Sequence, residues 1–284
     1  MNNSKKVDHN FNFLRPIKFQ KLIRLGSKSD GGYVVPEILL TKTDCLVSFG
    51  YGYDSAFEHD FINLTKKKVF IFDYLCSTLH ACKLFFTCLR RFILFRKKFK
   101  NLAYHFNTLK NHLVFISKNM IAFKKKMIVA RAQINQNKKV FNYSLKEFLT
   151  IKNEISVDEI FNNVPFKKII LKCDIEGTEY SIIDDILKFQ NKIDIFIIEF
   201  HWVDKNIEKF TSSVKKILRY FSIIHMHGNN HNNMIKDINI PEVPEITFVN
   251  NKHINEKKFI SKFPIVNLDY PNDPTSKDLF FHFN

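Results

Sequence analysis

Carboxylates and imidazoles recur two residues apart where apolar runs end: Asp174 and Glu176 after IILKC, Glu199 and His201 in IIEFH, and His225 and His227 in IIHMHGNN, with Asn229 close behind. Residues i and i+2 of a strand share a face, so each pair points to one side. Such groups can take a proton from a hydroxyl, pair a base with an orienting acid, or ligate a divalent ion. Neither Glu-x-His nor His-x-His is a metal fingerprint, so no metal ligands are assigned, although a divalent ion is compatible with the set. Asp174 is the first of these candidates because it stands where a strand opens onto a cleft. Glu176 favours the N-terminus of the next helix, and Glu179 is expected to face solvent or to pair locally.

A second constellation lies upstream. CLVSFGYGYDSAFEHDF, residues 45–61, joins an apolar run to a Gly-x-Gly turn and a helix that starts near Ser55. Gly50 and Gly52 let the backbone pass close to a ligand, and Asp54 stands at the mouth of the helix. Asp73 ends the run FIFD about twenty residues later, where a carboxylate can accept both hydroxyls of a ribose. This spacing serves nicotinamide enzymes and S-adenosylmethionine (SAM) enzymes alike, but Ser55 occupies the third-glycine position of GxGxxG, which disfavours NAD. Upstream, KSDGGYVVP offers Asp30 and Tyr33 as residues that could close over a bound molecule.

These groups need a scaffold. Apolar runs near 46–51, 68–74, 112–117, 167–174, 193–201 and 221–227 alternate with helical segments at Ser55–Thr65, Thr178–Phe189 and Ile207–Tyr220. A seventh run, EITFVNN, is read as an edge strand or part of a terminal hairpin. This alternation predicts a three-layer Rossmann-like α/β fold, with a mostly parallel seven-stranded sheet and helices on both faces. Ligands bind such sheets beyond the carboxyl ends of the strands, where the polar pairs are placed.

ILKCDIEGTEYSII, together with RLGSKSDGGYVVP, SFGYGYDSAFEHDF, IIEFHW, HMHGNN and PEVPEITFV, resembles the FkbM-type methyltransferase family in the same order, over roughly residues 24–250. The resemblance implies a class I SAM-dependent methyltransferase, usually acting on the oxygen of a sugar or related metabolite. Residues 1–284 are then expected to be one catalytic domain. Gly50, Gly52, Asp54 and Asp73 would serve the cofactor, and Asp174, Glu199 and His201 the chemistry. Asp30, Tyr33, Glu176, His225, His227 and Asn229 would contact a small-molecule or glycan acceptor. Two other classes share the scaffold: a nicotinamide oxidoreductase, and a non-catalytic protein that binds anionic surfaces.

Charge is unevenly placed. Net charge is +16, yet residues 74–146 hold sixteen of the 44 Lys and Arg and none of the 28 Asp and Glu, so the whole excess sits there. The region from about 79 to 146 reads as a basic helical insertion. Its Arg90, Arg91, Arg96, Lys97, Lys98, Lys100 and Lys124–Lys126 predict attraction to an anionic surface such as membrane lipid. Nucleic acid is disfavoured, because the aromatic residues there are mostly Phe and no recognition motif occurs. Five cysteines without CxxC or zinc spacing predict reduced thiols and a cytoplasmic chain, peripheral at most to the inner membrane face. Neither a signal peptide nor a membrane span is expected.

Overall fold

A computed structural model of the chain describes residues 4–50, 55–73, 78–94, 106, 110, 127–130, 133–134 and 154–284. Seven strands build the main sheet: β1 (Cys45–Phe49), β2 (Lys68–Phe72), β3 (Met127–Ala130), β4 (Ile169–Cys173), β5 (Ile193–Glu199), β6 (Phe221–Gly228) and β7 (Pro244–Asn250). Their spatial order is β3-β2-β1-β4-β5-β7-β6. Neighbours run parallel from β3 to β5, and β7 runs antiparallel to both β5 and β6. The arrangement is Rossmann-like, mixed and mostly parallel. Sequence order reverses between β1 and β4, which makes the carboxyl ends of those two strands the switch point.

The strands read as apolar runs because both faces are covered. All five residues of β1 and β4 and all seven of β5 are buried. Alternation sorts them: Val47, Leu171, Phe196 and Ile198 meet the helices α3 (Val157–Asn163), α4 (Glu179–Leu187) and α5 (Ile207–Ile217), through side chains such as Ile160, Ile183 and Phe210. Leu46, Ile71, Ile170 and Ile197 face the opposite layer, where Phe57 and Phe61 of helix α1 (Ala56–Thr65) pack with Tyr33 and Val35. Each fully buried aliphatic or aromatic side chain contributes roughly 1.5–3 kcal/mol. Local signals agree with the packing. Ser156 caps α3 by accepting from the Glu159 N–H, while the Glu159 carboxylate accepts from the Ser156 N–H at 2.8 Å.

Of the two readings of EITFVNN the hairpin holds and the edge does not: β7 runs antiparallel to the preceding β6 and lies between it and β5, in register Ile197↔Thr247 and Met226↔Ile246. The outer strand beside β2 is β3, in the segment read as basic insertion, whereas the run at 112–117 falls outside the described residues. Arg96, Lys97, Lys98, Lys100 and Lys124–Lys126 also lie outside them. The helix α2 (Thr78–Ile93) buries Cys88 and exposes Phe86 beside Arg90 and Arg91. Among the described residues, no helix is long and apolar enough to cross a membrane.

Beyond the main sheet, Leu22–Leu25 pairs with Tyr33–Pro36. Lys5–Lys6 and Lys262–Phe263 flank Phe281–His282 in a small sheet backed by Phe263, Phe281 and Phe283. That small sheet ties residues 254–284 to the body, and their polar side chains reach the back of the site.

Candidate functional site

Register alone assembles the site. Phe49 pairs with Phe72 on one side and Cys173 on the other, and Cys173 pairs with Ile198. The next residues, Gly50, Asp73, Asp174 and Glu199, therefore line up along the carboxyl edge of β1, β2, β4 and β5. Gly50 turns there at φ +87°, and a Cβ on it would stand 1.6 Å from the Asp174 carbonyl oxygen. Only glycine fits between the two strand ends. Its N–H donates to the Phe72 carbonyl at 3.0 Å, and the Asp174 N–H donates to the Phe49 carbonyl at 2.9 Å. Gly52 and Asp54 lie outside the described residues.

Alternation along β4 puts Lys172 on the α1 side, 4% exposed. Its ammonium donates to the Gly50 carbonyl at 3.2 Å, stands 3.9 Å from carboxylate oxygens of both Glu58 and Asp174, and lies over the Tyr33 ring at 5.4 Å. Glu58 also accepts from the Ser48 hydroxyl at 2.7 Å. Burying a lysine is tolerable because every side of it meets a carboxylate, a carbonyl or a π face.

Past the row of strand ends opens a polar cavity of about 290 Å³ lined by Asp30, Asp174, Glu176, Glu199, His201 and Asn229, with Trp202 at its wall. The buried Tyr33 hydroxyl donates to Asp174 Oδ2 at 3.0 Å and also lies 3.4 Å from Glu199 Oε2. Asn229 donates to Glu199 Oε1 at 3.0 Å. Burial, with the Asp174 charge added, pushes the Glu199 carboxyl well above the usual carboxylate range. Burial also raises the Asp30 carboxyl, against the opposing hydrogen bond from Asn272, which is 3.0 Å long.

Glu179 does not face solvent but pairs locally, the second of its two expected placements, and its reach to His201 carries no sequence signal. It is fully buried, and its Oε1 accepts from the Ile175 and Gly177 N–H groups and contacts His201 Nδ1 at 2.8 Å. Strand β5 stops at Glu199, so His201 belongs to the following loop rather than to the strand; its Nε2 nevertheless reaches the cavity. Burial works against the imidazolium, but the Glu179 hydrogen bond and the charges of Glu179, Asp174 and Glu176 together outweigh it and raise the His201 pKa. Gly177 is the spacer that lets Trp202 sit here: a Cβ on it would stand 2.2 Å from the indole ring.

His225 and His227 do not line this cavity. Both are buried in β6, where a register shift between Ile223 and His225 interrupts regular pairing. His225 Nε2 contacts Asp269 at 3.0 Å. His227 uses both ring nitrogens, Nδ1 to Glu245 at 3.2 Å and Nε2 to Asp278 at 3.1 Å. Their expected acceptor contact gives way to a structural role, since a buried imidazole must find partners and the nearest are carboxylates. Asp269, Asn272 and Asp278, which complete this layer, carry no sequence signal. Cys45 and Cys173 are buried free thiols whose pKa values burial pushes up.

No family model matches the chain, and no curated protein matches it. Similar solved structures include a fibrillarin/Nop5p complex, at 10% identity over 73% of this chain and 73% of that one, with a TM-score of 0.37. The Methanococcus jannaschii fibrillarin pre-rRNA processing protein is 10% identical over 74% of this chain and 67% of its own, with a TM-score of 0.34. M. capricolum TrmK, in complex with S-adenosylhomocysteine, is 11% identical over 84% and 75%, with a TM-score of 0.33. Likenesses this distant say nothing about chemistry in this chain.

Proposed function

We propose that the chain is a SAM-dependent methyltransferase acting on a hydroxyl of a sugar, glycan or related metabolite. The observation that carries this reading is the row Gly50, Asp73, Asp174 and Glu199 at the switch point, with the polar cavity beside it. The FkbM-type motifs support it. So does β7: an antiparallel strand between β5 and β6 departs from the 3-2-1-4-5-6 order of dinucleotide sheets. The residues fit the cofactor, since Gly50 turns without a side chain at the switch point and Asp73 closes the adjacent strand with a carboxylate suited to ribose hydroxyls.

When bound, the sulfonium supplies an electrophilic methyl group and departs as a neutral thioether. The protein's part is alignment and proton removal. Glu199, held by Asn229 and Tyr33, would accept the hydroxyl proton when it is itself ionised, and its raised pKa makes that carboxylate a stronger base than an ordinary one. Asp174 and His201 position the acceptor. Four carboxylates line the cavity and no Lys or Arg does among the described residues, so a neutral or cationic acceptor suits it better than an anionic one.

Calorimetry tests the cofactor directly. SAM and S-adenosylhomocysteine are expected to bind and NADH is not; NADH binding with SAM ignored would overturn the reading in favour of an oxidoreductase. Once an acceptor hydroxyl is found by transfer of a labelled methyl group, Glu199→Gln is expected to lower kcat by at least about 10²-fold with SAM affinity unchanged. Full activity in that variant would remove Glu199 from the proton path.

A further inference from the structure

We infer that Asp174, Glu176 and His201 form a binding site for one divalent metal ion. Asp174 follows β4, Glu176 sits in the bend after it at φ +54°, and His201 comes from the loop beyond β5. A carboxylate oxygen of each acid and one imidazole nitrogen of His201 all lie within 4.8 Å of one another. His201 Nε2 is 3.5 Å from Glu176 Oε2 and 3.9 Å from Asp174 Oδ1, with Glu199 Oε1 at 3.7 Å as a flanking carboxyl oxygen. Ligand atoms about 2.1 Å from a shared ion stand roughly 3.0 Å apart at right angles and roughly 4.2 Å apart when opposed. The two Nε2 distances fall inside that range and beyond good hydrogen-bond length.

The placement of the imidazole is the independent observation. Its side chain is nine-tenths buried, and among the described residues Nε2 makes no hydrogen bond. Glu179 anchors the other nitrogen and is itself fixed by two backbone N–H groups. With Nδ1 engaged by Glu179, Nε2 is the nitrogen that faces the cavity, and metal-binding histidines are oriented in this way. Nε2 thus faces oxygens of three carboxyl groups, a place that suits a positive centre. Lys172 does not fill that place, because it approaches Asp174 through Oδ2, whereas His201 faces Oδ1. Two carboxylates with one imidazole suit a mixed oxygen–nitrogen ion such as Mn²⁺ or Zn²⁺ better than Ca²⁺, which takes oxygen alone.

The site stands on these side chains and does not require the cofactor. Its role does rest on the methyl-transfer reading: the ion would hold the acceptor oxygen and lower its pKa, leaving Glu199 to accept the proton.

Trp202, the only tryptophan in the chain, has its ring centroid 6.0 Å from that of His201 and serves as a built-in reporter. The full chain, stripped with chelator, is titrated with Mn²⁺ while Trp202 fluorescence and the free-Mn²⁺ paramagnetic resonance signal are followed. One equivalent is expected to bind with quenching. Glu176→Gln, at a side chain 80% exposed and therefore harmless to folding, is expected to weaken binding at least about tenfold, and His201→Asn more. No quenching up to millimolar Mn²⁺, or the same affinity in both variants, overturns the site. SAM calorimetry on the same preparation separates the two ideas. Mn²⁺ binding without SAM binding keeps the metal site and defeats the methyltransferase reading, and the reverse keeps only the latter.

Discussion

Gly50→Ala is expected to cost the protein much of its folded stability, seen as a large fall in urea midpoint, and to abolish SAM binding. The added methyl would stand 1.6 Å from the Asp174 oxygen and 2.8 Å from its carbonyl carbon, both backbone atoms that no rotamer change can move. An L-residue at φ +87° adds strain of about 1–3 kcal/mol, and overpacking adds about 1–3 kcal/mol or more. Against a typical total of about 5–15 kcal/mol, the sum is severe. The backbone's only relief is to part β1 from β4. That movement would break the Lys172 contact with the Gly50 carbonyl and displace Asp174 from Tyr33. An unchanged midpoint with wild-type affinity would mean that the bend is not pressed against β4.

His227→Gln is expected to lose about 3–5 kcal/mol at neutral pH, because Glu245 and Asp278 would keep their charges without the cation between them. The loss should depend on pH in a defined direction. Burial opposes the charged ring, but the hydrogen bonds to Asp278 and Glu245 prevail and lift its pKa from 6.5 to about 10. A group with a raised folded pKa stabilises fully below its unfolded pKa and loses that contribution as pH rises through the folded value. The gap between wild type and variant is therefore widest near pH 6 and narrows towards pH 10. Urea melts of both proteins across that interval measure it. A constant gap would show that the ring is held neutral.

What can be read from the sequence follows from what periodicity encodes. Runs such as IILKC and IDIFIIE are apolar because both sheet faces are covered, so the run pattern by itself reveals β1, β2, β4, β5 and β6 and the helices α1, α4 and α5. Position within the sheet is not encoded in a run. EITFV looks the same at an edge as in the interior, and only its pairing with Ile198 and Met226 shows which it is. Charged residues mislead more. Glu179 in a first helical turn reads as an acid that faces solvent or pairs locally; it pairs locally, but fully buried under the loop it organises. The alternation His-x-His suggests one shared target, but β6 is irregular at this point and each ring meets its own carboxylates. Asp269 and Asp278 lie 44 and 51 residues from those rings. No local pattern announces a contact made over such a distance.

The small sheet that draws in residues 254–284 has a consequence for where this protein can be cut. The motif-bearing region closes near residue 250, and a chain ended there would retain every strand of the main sheet. It would also discard Asp269, Asn272 and Asp278, leaving both imidazoles of β6 facing a stripped surface. The tail is thus a structural lid on the ionic interior, and an apparent minimal domain drawn from motif boundaries would be an unstable fragment.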